Sequence, residues 1–458
     1  MVSRSTSPAP LAGSPSKRKS APPLSVLYQA IARVLPNPNN PRRHSQKQVD
    51  QIARSIETFG WVVPVAVDDD NCLISGHGRL LAAVKLGMTE IPTVRISHLT
   101  EDQKRAYTIA DNRLTINSEW NDTLLGEQLT LLANANLDFD ITVTGFDIAE
   151  IDLAIEGLNV PAGDIDPDDE ALALLPVVSQ LGDVWQLGSH SILCGDALDP
   201  RSYAMLMPNE EAAVVFTDPP FNVKVSSVSG KGKRKHREFA MASGEMSRRE
   251  FSDFLRSAFE LMADHSRDGS IHFVCMDFRH MTELLAAGEA AYDELKNLVV
   301  WVKSNGGMGS LYRSRHELIF VFKSGTAAHQ NHVELGRYGR NRSNAWEYPS
   351  PRVFGQGDGE GDLLAEHPTP KPVAMIADAL MDVSSRGEIV LDPFLGSGST
   401  LLAADRVGRI ARGIELDPRY VDLTIRRWER KTGRSAVHAA MQLTFAEARE
   451  LREEGGHE

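Results

Sequence analysis

The stretch Ile389–Thr400, "IVLDPFLGSGST", decides the fold. Three apolar residues stop at an acid, and a Gly-x-Gly turn then opens a run with helical character. Glycine permits positive φ and lets a backbone approach a ligand closely, so Gly396 and Gly398 mark a strand-to-helix turn built for contact. A triphosphate-binding loop would place Lys before Ser or Thr, and none stands here. One strand later comes Gly413-Ile414-Glu415-Leu416-Asp417, with an acid at a second strand end. Such an acid is placed to bind ribose hydroxyls, by the geometry of dinucleotide folds.

Working outward, β-rich runs alternate with helical stretches from about residue 180. Strands are expected near 190–194, 212–217, 269–275, 297–302, 316–323, 388–392 and 410–415. About seven strands with helices between them predict an open α/β sheet, whose ligands lie beyond the carboxyl ends of the strands. The run Val214–Asn222, "VVFTDPPFN", ends one of these strands with a carboxylate, two prolines, a ring and an amide. Bulk properties fit a multi-domain globular protein of 458 residues with net charge −13. Cys72, Cys194 and Cys275 lack metal or redox spacing, which fits a reducing cytoplasm. No apolar run reaches the roughly 20 residues of a membrane span.

Five segments in one order resemble the amino-group DNA methyltransferases that use S-adenosylmethionine. "TDPPF" (217–221) is similar to the catalytic motif of that family, and "LDPFLGSGST" (391–400) to its cofactor loop. Glu415 resembles the ribose acid, "HPTPKP" (367–372) the segment before the loop, and "CGDAL" (194–198) the segment before the catalytic motif. Asp218 precedes Asp392 by 174 residues. That order resembles the permuted β group, whose members with aspartate first mostly methylate adenine. The resemblance implies a Rossmann-like sheet, S-adenosyl-L-methionine as cofactor, and catalysis by Asp218, Pro219, Pro220 and Phe221. It implies cofactor contacts from Asp196, Thr369, Lys371, Asp392, Phe394, Gly396, Gly398 and Glu415. It also implies a homodimer.

The chemistry accounts for these residue types. An exocyclic amine is a weak nucleophile, and acceptors for its protons favour a more tetrahedral nitrogen. The Asp218 carboxylate and the Pro219 carbonyl supply such acceptors, while prolines fix the chain direction. Positioning then supplies much of the acceleration. The base must be flipped from the duplex, and Phe221 offers a stacking face. No cysteine follows a proline, so a Pro-Cys nucleophile of carbon-5 chemistry is excluded. Residues 221–250 carry eight bases against three acids. Lys231, Lys233, Arg234, Lys235 and Arg237 lie in this run and are expected to meet DNA phosphates. Arg313 and Arg315 are expected to join them, beside Trp301, Lys303, Tyr312, Arg337, Arg340 and Arg342, with target recognition at about 303–365.

The N-terminal part, "NPNNPRRHSQKQVDQIARSIETFGWVVPVAV" (37–67) with "LISGHGRLLAAVKLG" (73–87), resembles the ParB-like N-terminal domain. A helix ending near Gly60, a strand at about Val62–Val67 and a helix after Gly76-His77-Gly78-Arg79 are expected, giving a small α+β fold. Typical partition proteins have Gly-Glu-Arg-Arg at that turn; Arg79 and the backbone after Gly76 can still bind phosphate. The expected organisation is a disordered tail (1–23), a ParB-like domain (24–120), a helical segment and acidic linker (121–179), a methyltransferase domain (180–435) and a C-terminal tail (436–458). Residues 147–170 hold nine acids and no Lys or Arg, hence the linker. The leading expectation is an adenine-specific DNA methyltransferase. Methylation of cytosine N4 or of RNA, and a ParB-like regulator with an inactive methylase half, are the alternatives.

Overall fold

A computed structural model describes residues 23–117, 120–135, 137–156, 175–222, 245–303, 312, 314–334, 342–349 and 371–454. They form two compact units, one reaching residue 125 and including 134–146, the other holding 126–133 and everything from 147.

In the first unit a four-stranded sheet runs in the order β1-β4-β2-β3: β1 (Val26–Ala30), β2 (Val65–Val67), β3 (Leu73–Ser75) and β4 (Glu90–Arg95). Only β2 and β4 are parallel. The expected strand from Val62 begins at Val65; Val62 is 75% exposed and Val63 54%. The helix Gln46–Phe59 starts at Ser45, whose hydroxyl accepts from Gln48 N at 3.2 Å, and ends at Gly60 with φ 74°. Its stripe of Val49, Ile52, Ala53 and Ile56 packs on Ala82 and Leu86 of the segment after Gly76, as a 3.6-residue period requires.

The second unit is built on a ten-stranded sheet, ordered β11-β9-β10-β8-β7-β12-β13-β6-β5-β14. The seven expected strands are all present: β6 (His190–Cys194), β7 (Ala212–Thr217), β8 (Ser266–Met276), β9 (Glu294–Val302), β10 (His316–Lys323), β12 (Ile389–Asp392) and β13 (Ile410–Glu415). Three short ones join them: β5 (Val184–Leu187), β11 (Ala345–Glu347) and β14 (Val437–His438). The five central strands, β8-β7-β12-β13-β6, are parallel. β10 is antiparallel to β8 and β9, so its first residues stand at the carboxyl edge of the centre.

Strand β7 buries every residue, which a central strand covered on both faces must do. Val214 and Phe216 face a core with Ile376, Leu380 and Trp428; Val215 faces the other, with Phe251, Phe259 and Leu284. Two expectations change. Residues 436–454 are no tail: Phe445 is 5% exposed in the core, and Arg452 donates to Val178 O and Asp183. Part of the acid-rich run is no linker. Ile148–Glu156 is a helix whose Asp152 side chain is fully buried, accepting from Arg409 at 2.8 Å and Arg386 at 3.1 Å. Among the described residues, no helix is long and apolar enough to cross a membrane.

Candidate active site

The carboxyl ends of four adjacent parallel strands carry the expected site residues. Asp218 follows β7, Asp392 ends β12, Glu415 ends β13, and Asp196 lies two residues past β6. Register fixes their order, with Glu415 opposite Cys194 and Asp392 opposite Gly413. Thr217 Oγ1 donates to Asp392 Oδ1 at 2.8 Å, joining the Asp-Pro-Pro-Phe segment to the start of the glycine loop. Asp392 also accepts from Phe394 N at 3.1 Å, and burial pushes its carboxyl up to about 6.

The glycine loop is pinned from beneath. Thr424 Oγ1 donates to Gly396 O at 3.1 Å, and Arg427 Nη1 to Ser397 O at 2.5 Å. Gly398 has φ 84° and caps the helix Ser399–Arg406; a Cβ there would stand 2.4 Å from Thr424 Cγ2. At Gly396, with φ 54°, an added Cβ would meet nothing within 4 Å. The first glycine therefore leaves open space over the loop, and the second allows tight packing under it. Glu415 braces the turn, accepting from Gly396 N and Asp417 N at 2.8 Å each; burial pushes it up to about 7. Asp196 accepts from Leu198 N at 2.9 Å, and the ring of Phe394 lies 6.0 Å from that of Phe254.

At Asp218 the structure adds partners that sequence reasoning missed. Lys371 Nζ lies 2.5 Å from Asp218 Oδ2 and 3.3 Å from Glu317 Oε2. Glu317 in turn meets Lys303 Nζ at 2.8 Å. Lys371, expected among the cofactor contacts, is engaged with these two carboxylates, its Nζ 5.7 Å from the Phe221 ring centre. Burial opposes its charge, but the two carboxylates more than compensate and hold it protonated. Burial raises the Asp218 carboxyl against the pull of Lys371. Glu317 stays low despite burial, because it faces both lysines. Asp218 Oδ1 is buried and has no hydrogen-bond partner. Pro219 is buried, Pro220 and Phe221 half-buried.

Asn222, with φ 51°, ties the end of the Asp-Pro-Pro-Phe segment to Met246. Its side chain donates to Met246 O at 2.8 Å and accepts from Met246 N at 3.2 Å. Lys231, Lys233, Arg234, Lys235, Arg237, Arg313 and Thr369 lie outside the described residues, as do Arg337 and Arg340. Arg315 is exposed, and its Nε donates to Lys303 O at 2.8 Å. Two residues expected on the DNA side are internal. Trp301 is fully buried, and Arg342 pairs with Asp378 and Asp382 at 3.0 and 2.8 Å.

The first unit has its own glycine turn. Gly76, φ 102°, caps the helix His77–Lys85. A cavity of about 180 Å³ beside it is lined by Arg42, His44, Ser75, His77, Arg79 and Asp111, among others. His77 Nε2 is buried without a hydrogen-bond partner, and burial together with His44 holds the ring below its usual range.

The family model for DNA methylase matches residues 212–426, and that for the ParB N-terminal domain matches residues 18–113. The chain thus carries a DNA methylase domain of the N6/N4 class and a ParB-like N-terminal domain. Over 82 residues it is 40% identical to the ParB-like nuclease domain-containing protein YnaK of Escherichia coli K12, covering 18% of this chain and 94% of that one. Over 282 residues it is 25% identical to the DNA adenine methyltransferase YhdJ of the same organism, covering 55% and 86%. Among solved structures, the cytosine-N4-specific PvuII DNA methyltransferase matches at 18% identity and TM-score 0.38, covering 51% of this chain and 84% of its own length.

Proposed function

We propose that this DNA methyltransferase transfers a methyl group from S-adenosylmethionine to the exocyclic N6 amine of adenine in duplex DNA, by direct displacement on a flipped-out base. The observation that carries the reading is the state of Asp218: one oxygen is held by Lys371, and the other is buried without a partner. An amine donating to Oδ1 satisfies that oxygen, and the Pro219 carbonyl is a second acceptor. Phe221 offers its face to the base. As the nitrogen–carbon bond forms and the sulfur–carbon bond breaks, Asp218 takes the amine proton.

When bound, S-adenosylmethionine supplies an electrophilic methyl on a sulfonium cation. The residues fit it. Gly396 faces open space, and Asp196, Asp392 and Glu415 give the carboxyl edge an acidic lining suited to a cation and to ribose hydroxyls. Asp218 in the first motif position favours adenine. The basic segment 223–244 and Arg315 are read as phosphate contacts, and 303–365 as target recognition. Residues 24–120 are read as a DNA-binding or regulatory module. A cytoplasmic homodimer is the assembly we expect, checked by sedimentation.

The test is transfer of tritiated methyl from S-adenosylmethionine to unmethylated duplex DNA, with digestion to nucleosides. Label in N6-methyladenine is expected. Label in N4-methylcytosine moves the assignment to the other amine. Cofactor binding with no label on either base overturns the reading in favour of a regulatory protein.

A further inference from the structure

We infer that Glu317 is a positioning residue for methyl transfer: with Lys303 it holds Lys371 between two carboxylates, so that Lys371 fixes Asp218 through Oδ2 alone and leaves Oδ1 to the amine. The inference rests on the role of Asp218 proposed above. Its basis is the chain of contacts Lys303–Glu317 at 2.8 Å, Glu317–Lys371 at 3.3 Å and Lys371–Asp218 at 2.5 Å. All four side chains are at least two-thirds buried, at 19%, 15%, 6% and 29% exposure. Buried charges must be paired closely, so the cluster has little freedom to rearrange.

Fold topology makes the chain possible. Glu317 is the second residue of β10, and Lys303 follows the last residue of β9; the hairpin brings both to the carboxyl edge where Asp218 leaves β7. The consequence is chemical. An Asp218 with sole possession of Lys371 would be a weaker base. Sharing the ammonium with Glu317 keeps the carboxylate basic enough to accept a proton from the attacking nitrogen. Among the described residues, the other titratable groups around Asp218 are Cys275 on β8, which burial keeps as the thiol, and Asp392 on β12.

Glu317→Gln removes a negative neighbour and gives Lys371 to Asp218 alone. Lys303→Met removes a positive neighbour and leaves the Glu317–Lys371 pair. The two variants must therefore shift Asp218 in opposite directions. In full-length protein labelled with carbon-13 at aspartate Cγ, the Asp218 signal is identified by its loss in Asp218→Asn. Its titration midpoint should fall in Glu317→Gln and rise in Lys303→Met. In methyl transfer the acid limb of kcat should move the same way. kcat of Glu317→Gln should drop about tenfold, with KM for cofactor and DNA changed less than twofold. Midpoints that stay put, or move together, overturn the inference. If the wild type methylates no base the methylase reading fails, yet the two titrations still decide whether Glu317 governs Asp218.

Discussion

Two glycine turns in this chain share a plan and differ in surroundings. At Gly76 and at Gly398 a left-handed glycine, φ 102° and 84°, caps a helix that follows a strand. Around Gly76 stand Arg42, Arg79, His44 and His77 with a single acid, Asp111; around the loop of Gly398 stand Asp392 and Glu415, with Asp196 and Asp218 just past the ends of neighbouring strands. A helix start offers free N–H groups in both cases. What the lining selects is therefore the sign of the ligand. The basic turn suits an anion, and the acidic one a ligand with a cationic sulfonium and hydroxyls.

The largest stability effect is expected where the turns are alike. Gly398→Ala places a Cβ 2.4 Å from Thr424 Cγ2, and Gly76→Ala places one 2.7 Å from Val65 Cγ1. With left-handed strain added, each should cost its own unit about 3 kcal/mol. Calorimetry should show a lowered transition for the substituted unit and an unchanged one for the other. Equal loss in both transitions would break the comparison.

A smaller effect should appear only at the acidic turn. Glu415 is pushed from 4.5 to about 7 by burial, so the folded chain binds the extra proton between these values. Stability then falls as pH rises from about 4.5 through 7, and the loss persists above. Glu415→Gln should remove this slope, stabilising the unliganded protein at pH 8 by about 1–2 kcal/mol while weakening cofactor binding. Melting curves at pH 5 and pH 8 check it, and an unchanged slope would contradict it. The smallest effect belongs to the basic turn. Arg79→Ala should lower DNA affinity by less than about tenfold and reduce the slope against log salt by about one, with methyl transfer to a short duplex intact.

Much of this was legible in the sequence because it is local. An apolar run, an acid and a glycine turn sit side by side, so β7, β12 and β13 and their terminal acids were readable in place. Strands β5, β11 and β14 have four, three and two residues, too few to carry a period. Glu317 is one charge within the expected strand 316–323; its role depends on the pairing of β9 with β10 and on Lys371, which meets Asp218 across 153 residues. Asp152 looked solvated among eight other acids, and only Arg386 and Arg409, more than 230 residues away, show why it is buried. Composition reports a neighbourhood in sequence, whereas burial is decided in space.

The central claim is that the Asp218 carboxylate accepts the amine. Single-turnover methyl transfer by Asp218→Ala, alongside calorimetric titration with S-adenosylmethionine, tests it most directly. The account predicts transfer reduced about a thousandfold or more and cofactor affinity within a few-fold of wild type. Transfer at near wild-type rate in that variant would contradict it.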